Sequence, residues 1–159
     1  MKYKGIWFYG LSGSGKTLLS KTLKKKFKNI VIIDGDGVRK NISFDLGYNI
    51  EDREIQIKRV WGLCKIMIDQ KFFPVASTVY FNNKILNMCK KEKIIPIRID
   101  RLKMKNVFKN HKTYKNKKNV VGIDIKYGNF RTKIISNSNS KSFCQNLNFF
   151  ERFLVKKST

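Results

Sequence analysis

GLSGSGKT, Gly10 to Thr17, follows the β-prone run Tyr3 to Tyr9 and precedes a stretch in which Leu19, Leu23 and Phe27 recur at four-residue spacing. A strand, a glycine loop and a helix with one apolar face is the setting in which Gly-x-x-x-x-Gly-Lys-Thr cradles a phosphate chain. Glycines let successive backbone N–H groups turn toward one point without a Cβ clash. The helix that follows adds the positive end of its dipole. Gly10, Ser12, Gly13, Ser14, Gly15, Lys16 and Thr17 are therefore the candidate nucleotide-binding residues, with Lys16 on the β- and γ-phosphates and the Thr17 hydroxyl on a bridging Mg²⁺. The implied cofactors are ATP and Mg²⁺.

Outward from this loop, the chain alternates strand and helix patterns. NIVII, Asn29 to Ile33, reads as a strand buried on both faces, and the region from there to about Asn49 reads as looser, with glycines at 35, 37 and 47. Glu51 to Gln70 reads as a long helix with Ile57, Val60, Cys64, Met67 and Ile68 as its stripe. Phe72 to Ser77 and Ile94 to Ile99 are further strands around a helix over Asn82 to Glu92, with Pro96 marking an edge or an irregularity. Lys133 to Ile135 adds a short strand, SNSNSKS (136–142) a polar turn, and Phe143, Leu147, Phe150 and Leu154 the apolar face of a last helix. The pattern predicts one α/β domain over 1–159, P-loop nucleotide-kinase-like, with a mainly parallel sheet flanked by helices and a mobile basic lid at about 101–121.

Composition narrows the function classes. The apolar fraction is 42% and no run of 18 apolar residues occurs, so a packed core and no transmembrane helix are expected. The start of the chain lacks signal-peptide features, and a cytoplasmic protein is expected. Cys64, Cys89 and Cys144 fall outside metal-ligand spacing and read as reduced core thiols; His111 stands alone, which excludes a zinc site or a Ser-His-Asp triad. The net charge of +24 admits a nucleic-acid partner, yet it also fits a general richness in Lys, Asn and Ile. The segment Arg101 to Val121 holds no acidic residue, which suits a polyanion such as a nucleotide's phosphates.

DGDGVR begins where the second strand ends. Open parallel sheets bind ligands at the carboxyl ends of their strands, so Asp34, Asp36 and Arg39 are expected beside the phosphate loop. Asp36 can accept a proton from an attacking hydroxyl, and Asp34 can hold Mg²⁺ through water together with Thr17. Asp34, Asp36 and Lys16 are thus the candidate catalytic residues, and Arg53, in EDR at 51–53, is a candidate for acceptor phosphate.

GLSGSGKT, IDGDGVRKNISFDLGYNIEDR (33–53) and VVGID (120–124) together resemble the adenylylsulfate kinase family, in its order and spacing. The resemblance implies transfer of the γ-phosphate of ATP to the ribose 3′-hydroxyl of a nucleotide, a nucleotide-kinase fold, and a homodimer as one option. It assigns Asp36 to the 3′-hydroxyl and Arg39 and Arg53 to the acceptor. It places Lys115 in the lid, with Lys109 as a weaker match to a lid arginine near the ATP base.

Three positions depart from the family pattern. A Phe-Thr before Gly-Ile-Asp is Val120-Val121 here, a Glu-Asn pair is Ile55-Gln56, and a Phe-Ile-Ser-Pro segment is replaced by Ser77-Thr78-Val79-Tyr80-Phe81. Loss of an aromatic stack costs about 1–3 kcal/mol by the scale of base–aromatic contacts. Gln56, Val120 and Val121 join the acceptor-binding candidates. The changes point either to a different acceptor, such as the cytidine diphosphoramidate used in capsule and surface-polysaccharide modification by one branch of the family, or to drift with Tyr80 or Phe81 supplying the stack. A polynucleotide kinase is the alternative enzyme class, although the acceptor block makes a nucleic-acid partner the lesser reading. A nucleotide-binding scaffold without turnover is disfavoured by the presence of both Asp34 and Asp36.

Overall fold

A computed structural model describes residues 3–101, 112–115, 118–126, 128–137 and 139–155 of the chain. The elements are β1 (Gly5–Tyr9), α1 (Lys16–Lys26), β2 (Ile30–Asp34), α2 (Gly35–Asn41), α3 (Ile50–Asp69), β3 (Phe73–Thr78), α4 (Asn83–Lys91), β4 (Ile94–Asp100), β5 (Lys133–Ser136) and α5 (Ser140–Val155), with one 3₁₀ turn at Lys112–Tyr114. The sheet has five strands in the order β2-β3-β1-β4-β5, all parallel.

β1 is central and wholly buried, which its sequence explains. In GIWFY the side chains alternate between the two faces of the sheet. Trp7 and Tyr9 enter one core with Val60, Cys64 and Ile68 of α3 and Ile85 of α4. Ile6 and Phe8 enter the other with Leu19 and Leu23 of α1 and Phe150 of α5. A strand covered by helices on both faces needs apolar residues at every position, and β1 has them. The helix α3 starts where expected because Asn49 caps it: its side chain accepts from the Asp52 N–H at 2.7 Å.

Two expectations change on contact with the structure, and the edge that Pro96 marks holds at that residue. The region after β2 is not loose throughout, since Gly35–Asn41 forms the helix α2. A Cβ on Gly35 would lie 2.9 Å from the Ser77 carbonyl oxygen, so glycine here permits α2 to start hard against β3. β2 is an edge strand, and Val31 and Ile32 are only half-buried, although each packs against one of the two cores. Pro96 lies in a strand with neighbours on both sides, but β5 joins β4 only from Ile97 onward, so at Pro96 itself β4 is the sheet edge.

The lid was expected over 101–121. Residues 102–111 lie outside the described residues, and Lys112–Tyr114 form a single 3₁₀ turn. Phe81 was a candidate base stacker; it is instead core, with its ring 4.2 Å from that of Tyr9 at an interplanar angle of 12°. No helix among the described residues is long and apolar enough to cross a membrane.

Ile97 is fully buried between β1 and the α1–α5 layer. Ile97→Ala is expected to lower unfolding free energy by about 2–5 kcal/mol, the range for a buried isoleucine truncated to alanine, as read by urea denaturation.

Candidate active site

The sheet order brings the two glycine-rich stretches together. β3 lies between β1 and β2, with Tyr9 level with Thr78 and Asp34 level with Ser77. The loops leaving β1 and β2 thus open at the same end, one strand apart. Between them and the 112–121 segment lies a cavity of about 1090 Å³, lined by Gly13, Lys16, Thr17, Asp34, Asp36, Arg39, Arg53, Gln56, Val120 and Val121 among others. That lies at the upper end of the roughly 300–1,000 Å³ of an ordinary small-molecule cleft.

The phosphate loop is built around Lys16. Its ammonium donates to the carbonyl oxygens of Gly10 at 2.7 Å and Leu11 at 2.9 Å. Gly15, in the left-handed region at φ 94°, caps α1 without any side-chain hydrogen bond, so the first N–H groups of the helix have no side-chain cap. Burial pushes the Lys16 pKa down to about 8, against the upward pull of Asp36 and Asp34. A desolvated cation among carbonyls, beside an uncapped helix start, is a site for a polyanion. Gly10 and Ser14 shape the loop from within, while Ser12, Gly13, Gly15, Lys16 and Thr17 line the cavity.

Both carboxylates reach the same cavity as Lys16. The Thr17 hydroxyl donates to Asp34 Oδ1 at 3.2 Å. Burial raises the Asp34 pKa, Asp36 raises it further, and Thr17 and Lys16 oppose them. Thr17 and Asp34 are hard oxygen donors, the type Mg²⁺ takes while keeping water and phosphate oxygens as its other ligands. The residues present therefore fit MgATP.

The far side of the cavity carries a pair of guanidiniums, with Asp124 acting on Arg53 only through space. Arg39 lies 4.6 Å and Arg53 5.5 Å from the centre of the Tyr48 ring. Arg39 donates to the Leu46 carbonyl at 3.2 Å and Arg53 to the Tyr48 and Asn119 carbonyls at 2.8 and 2.7 Å. Neither meets a carboxylate among the described residues, so both are free to meet an anionic ligand. Gln56 is buried and donates from Nε2 to the Gly35 carbonyl at 2.9 Å, tying α3 to the start of α2 beside Asp36. Val120 and Val121 are buried in the cavity wall, in a turn closed by Asp124, whose carboxylate accepts from the Asn119 and Val120 N–H groups.

The structure describes one of the two lid lysines. Lys115 is exposed and lies outside the cavity lining, where Lys118 stands instead. Lys109 is outside the described residues. Several lining residues escaped the sequence reading. Ser77 and Thr78 end β3, and the rule that ligands sit at carboxyl ends of strands could have found them once β3 was placed between β1 and β2. Tyr48 lines the cavity too, and its place between Asp45 and the Glu51–Arg53 charges carries no sequence signal for an aromatic ligand contact. Tyr80 lines the cavity where Phe81 does not.

Residues 2–128 match the family model described as adenylylsulphate kinase. The adenylyl-sulfate kinase of Thermodesulfovibrio yellowstonii is 34% identical over 108 residues, 65% of this chain and 46% of that protein. The adenylyl-sulfate kinase of Staphylococcus epidermidis is 43% identical over 78 residues, 46% of this chain and 39% of that protein. The matched stretches span about a third to a half of the length of these curated relatives. In fold, the Mycobacterium tuberculosis APS kinase CysC, solved in complex with AMPPNP and APS, superposes with a TM-score of 0.77 at 20% identity, covering 96% of this chain and 97% of that one. Shikimate kinase from Aquifex aeolicus gives 0.53 at 16% identity over 95% and 98% of the two chains.

The Lys16 pKa has a consequence for stability. Between about pH 8 and the ordinary lysine value of 10.5 the unfolded chain holds a proton that the folded chain has released. Stability of the ligand-free protein relative to Lys16→Met should then rise with pH across that window, by up to about 1.4 kcal/mol per unit, and be flat below it. Urea midpoints of both proteins at pH 7, 8, 9 and 10 check this.

Proposed function

The chain belongs to the adenylylsulphate kinase family, and on that footing we propose that it is an ATP-dependent kinase that phosphorylates the ribose 3′-hydroxyl of a small nucleotide. The observation that carries the reading is the placement of Asp34 and Asp36 on one cavity with Lys16 and Thr17, opposite an arginine pair that makes no ion pair with a carboxylate among the described residues. Bound MgATP supplies the phosphoryl group. Thr17 and Asp34 would hold the metal, and Lys16 with the loop N–H groups would neutralise charge on the β- and γ-phosphates. Asp36 orients the acceptor hydroxyl and takes its proton as the new O–P bond forms and the bond to the ADP oxygen breaks. Arg39 and Arg53 hold the acceptor's own anionic group, with Tyr48, Val120 and Val121 around its base and Gln56 steadying the Gly35 carbonyl. Lys115 and Lys109 are assigned to closure over the ligands.

The acceptor is adenylylsulfate or a variant of it. Val120 and Val121 are aliphatic and buried in the wall, which suits a smaller base without an aromatic stack at that point, such as the pyrimidine of cytidine diphosphoramidate, the acceptor in surface-polysaccharide modification. The charge of +24 keeps a polynucleotide acceptor as the competing class.

A kinase assay with MgATP against adenylylsulfate, cytidine diphosphoramidate, plain nucleotides and a short oligonucleotide separates these. Phosphate on the 3′-position of one of the first two is the expected outcome; turnover of the oligonucleotide alone would overturn it. Asp36→Asn is expected to lower kcat by at least about 100-fold, the scale of a lost general base, with ATP affinity nearly unchanged. Affinity for MgADP is expected to fall above pH of about 8 as Lys16 loses its proton, and calorimetric titrations across that range check the sign.

A further inference from the structure

We propose that Tyr114 is a positioning residue of the phosphate loop: its hydroxyl fixes the peptide between Ser12 and Gly13 so that the Gly13 N–H faces the nucleotide. The proposal rests on the ATP reading above. Four consecutive loop carbonyls, those of Gly10, Leu11, Ser12 and Gly13, each accept a hydrogen bond from a side chain. Lys16 supplies the first two from within the loop. The Tyr114 hydroxyl supplies the third at 2.9 Å, and Arg101 Nη1 the fourth at 3.3 Å.

In a trans peptide the C=O and the next N–H point in opposite directions, and the described chain has no cis peptide. Anchoring the Ser12 oxygen on Tyr114 therefore aims the Gly13 N–H away from Tyr114. Gly13 lines the cavity, and no acceptor takes its N–H among the described residues. Within the loop, the Ser14 N–H bonds the Leu11 carbonyl at 3.2 Å and closes a turn around the Ser12–Gly13 peptide, with Gly13 at φ 80°. Tyr114 holds that peptide's oxygen from outside the loop, through a part-buried hydrogen bond from a side chain that is only 6% exposed. Its neighbourhood is held against the loop a second time: a Cβ on Gly122 would come 2.8 Å from Leu11 Cδ2, so this turn and the phosphate loop are in close contact. Arg101 is exposed and its bond is longer, which makes it the weaker anchor.

The test is Y114F, which deletes one oxygen, with affinities for MgADP and Mg-tripolyphosphate measured by calorimetry. Both are expected to weaken about 3–10-fold, the loss appropriate to one hydrogen bond, because the Gly13 N–H meets phosphate and not base or sugar. The KM for the nucleotide acceptor is expected to stay unchanged, whereas general loosening of the segment carrying Asn119, Val120 and Val121 would raise it as well. R101A is expected to lose less than Y114F on both probes. Equal affinities in wild type and Y114F, a matching rise in acceptor KM, or a larger loss in R101A than in Y114F would overturn the proposal while leaving the ATP reading intact. Failure of the wild-type protein to bind either probe would overturn the ATP reading and the proposal with it.

Discussion

A lysine ammonium is buried beneath the carbonyls of its own glycine loop, and the rest of the site is arranged around that cost. Lys16 is only 8% exposed, and its hydrogen bonds go to Gly10, Leu11 and Ser14 rather than to a carboxylate. Burying a charge without a counter-charge in direct contact is unfavourable, and the nearby Asp34 and Asp36 offset it only through space. A phosphate chain entering the cavity completes the pairing. Affinity for a polyanion is in this sense stored in the ligand-free fold, and the same arrangement turns the loop's carbonyls onto protein donors and leaves its free N–H groups for the ligand.

The sheet order converts this local device into a bimolecular one. Because β3 separates β1 from β2, the carboxylates after β2 stand one strand away from the loop after β1, bridged by Thr17 and Asp34. The arginine pair comes from two further elements, α2 and the start of α3, and is braced by Tyr48 and by the carbonyl of Asn119. Asn119 sits in the left-handed region at φ 59°, a conformation asparagine tolerates better than most residues, and Asp124 holds the turn that presents it. Tyr114 reaches one end of the cavity at Ser12, and Asn119 reaches the other at Arg53.

Much of this was legible in the residues. Gly10 to Thr17 sits between a wholly apolar strand and an amphipathic helix, so its function as a phosphate loop follows from chemistry that is local in sequence. The position of Asp34 and Asp36 could be derived as well, because the carboxyl-end rule needs only that β1 and β2 be parallel strands of one sheet. Phe81 was harder: its apolar ring fits a base and a core equally well, and only the packing against Tyr9, Trp7 and Phe130 decides for the core. Lys115 and Tyr114 were not separable in a lysine-rich run, since which of two adjacent residues turns toward the loop depends on a contact across 102 positions of sequence. The edge position of β2 was hidden for a related reason, as Val31 and Ile32 are apolar enough for either an inner or an outer strand.

The most direct measurement is a crystal structure of the protein with Mg²⁺ and a non-hydrolysable ATP analogue. The account predicts the terminal phosphate lying between the Lys16 ammonium and the Asp36 carboxylate, with the metal on the Thr17 hydroxyl and toward Asp34. A nucleotide bound with its phosphates away from Lys16, or with Asp34 and Asp36 turned out of the cavity that holds it, would contradict the account.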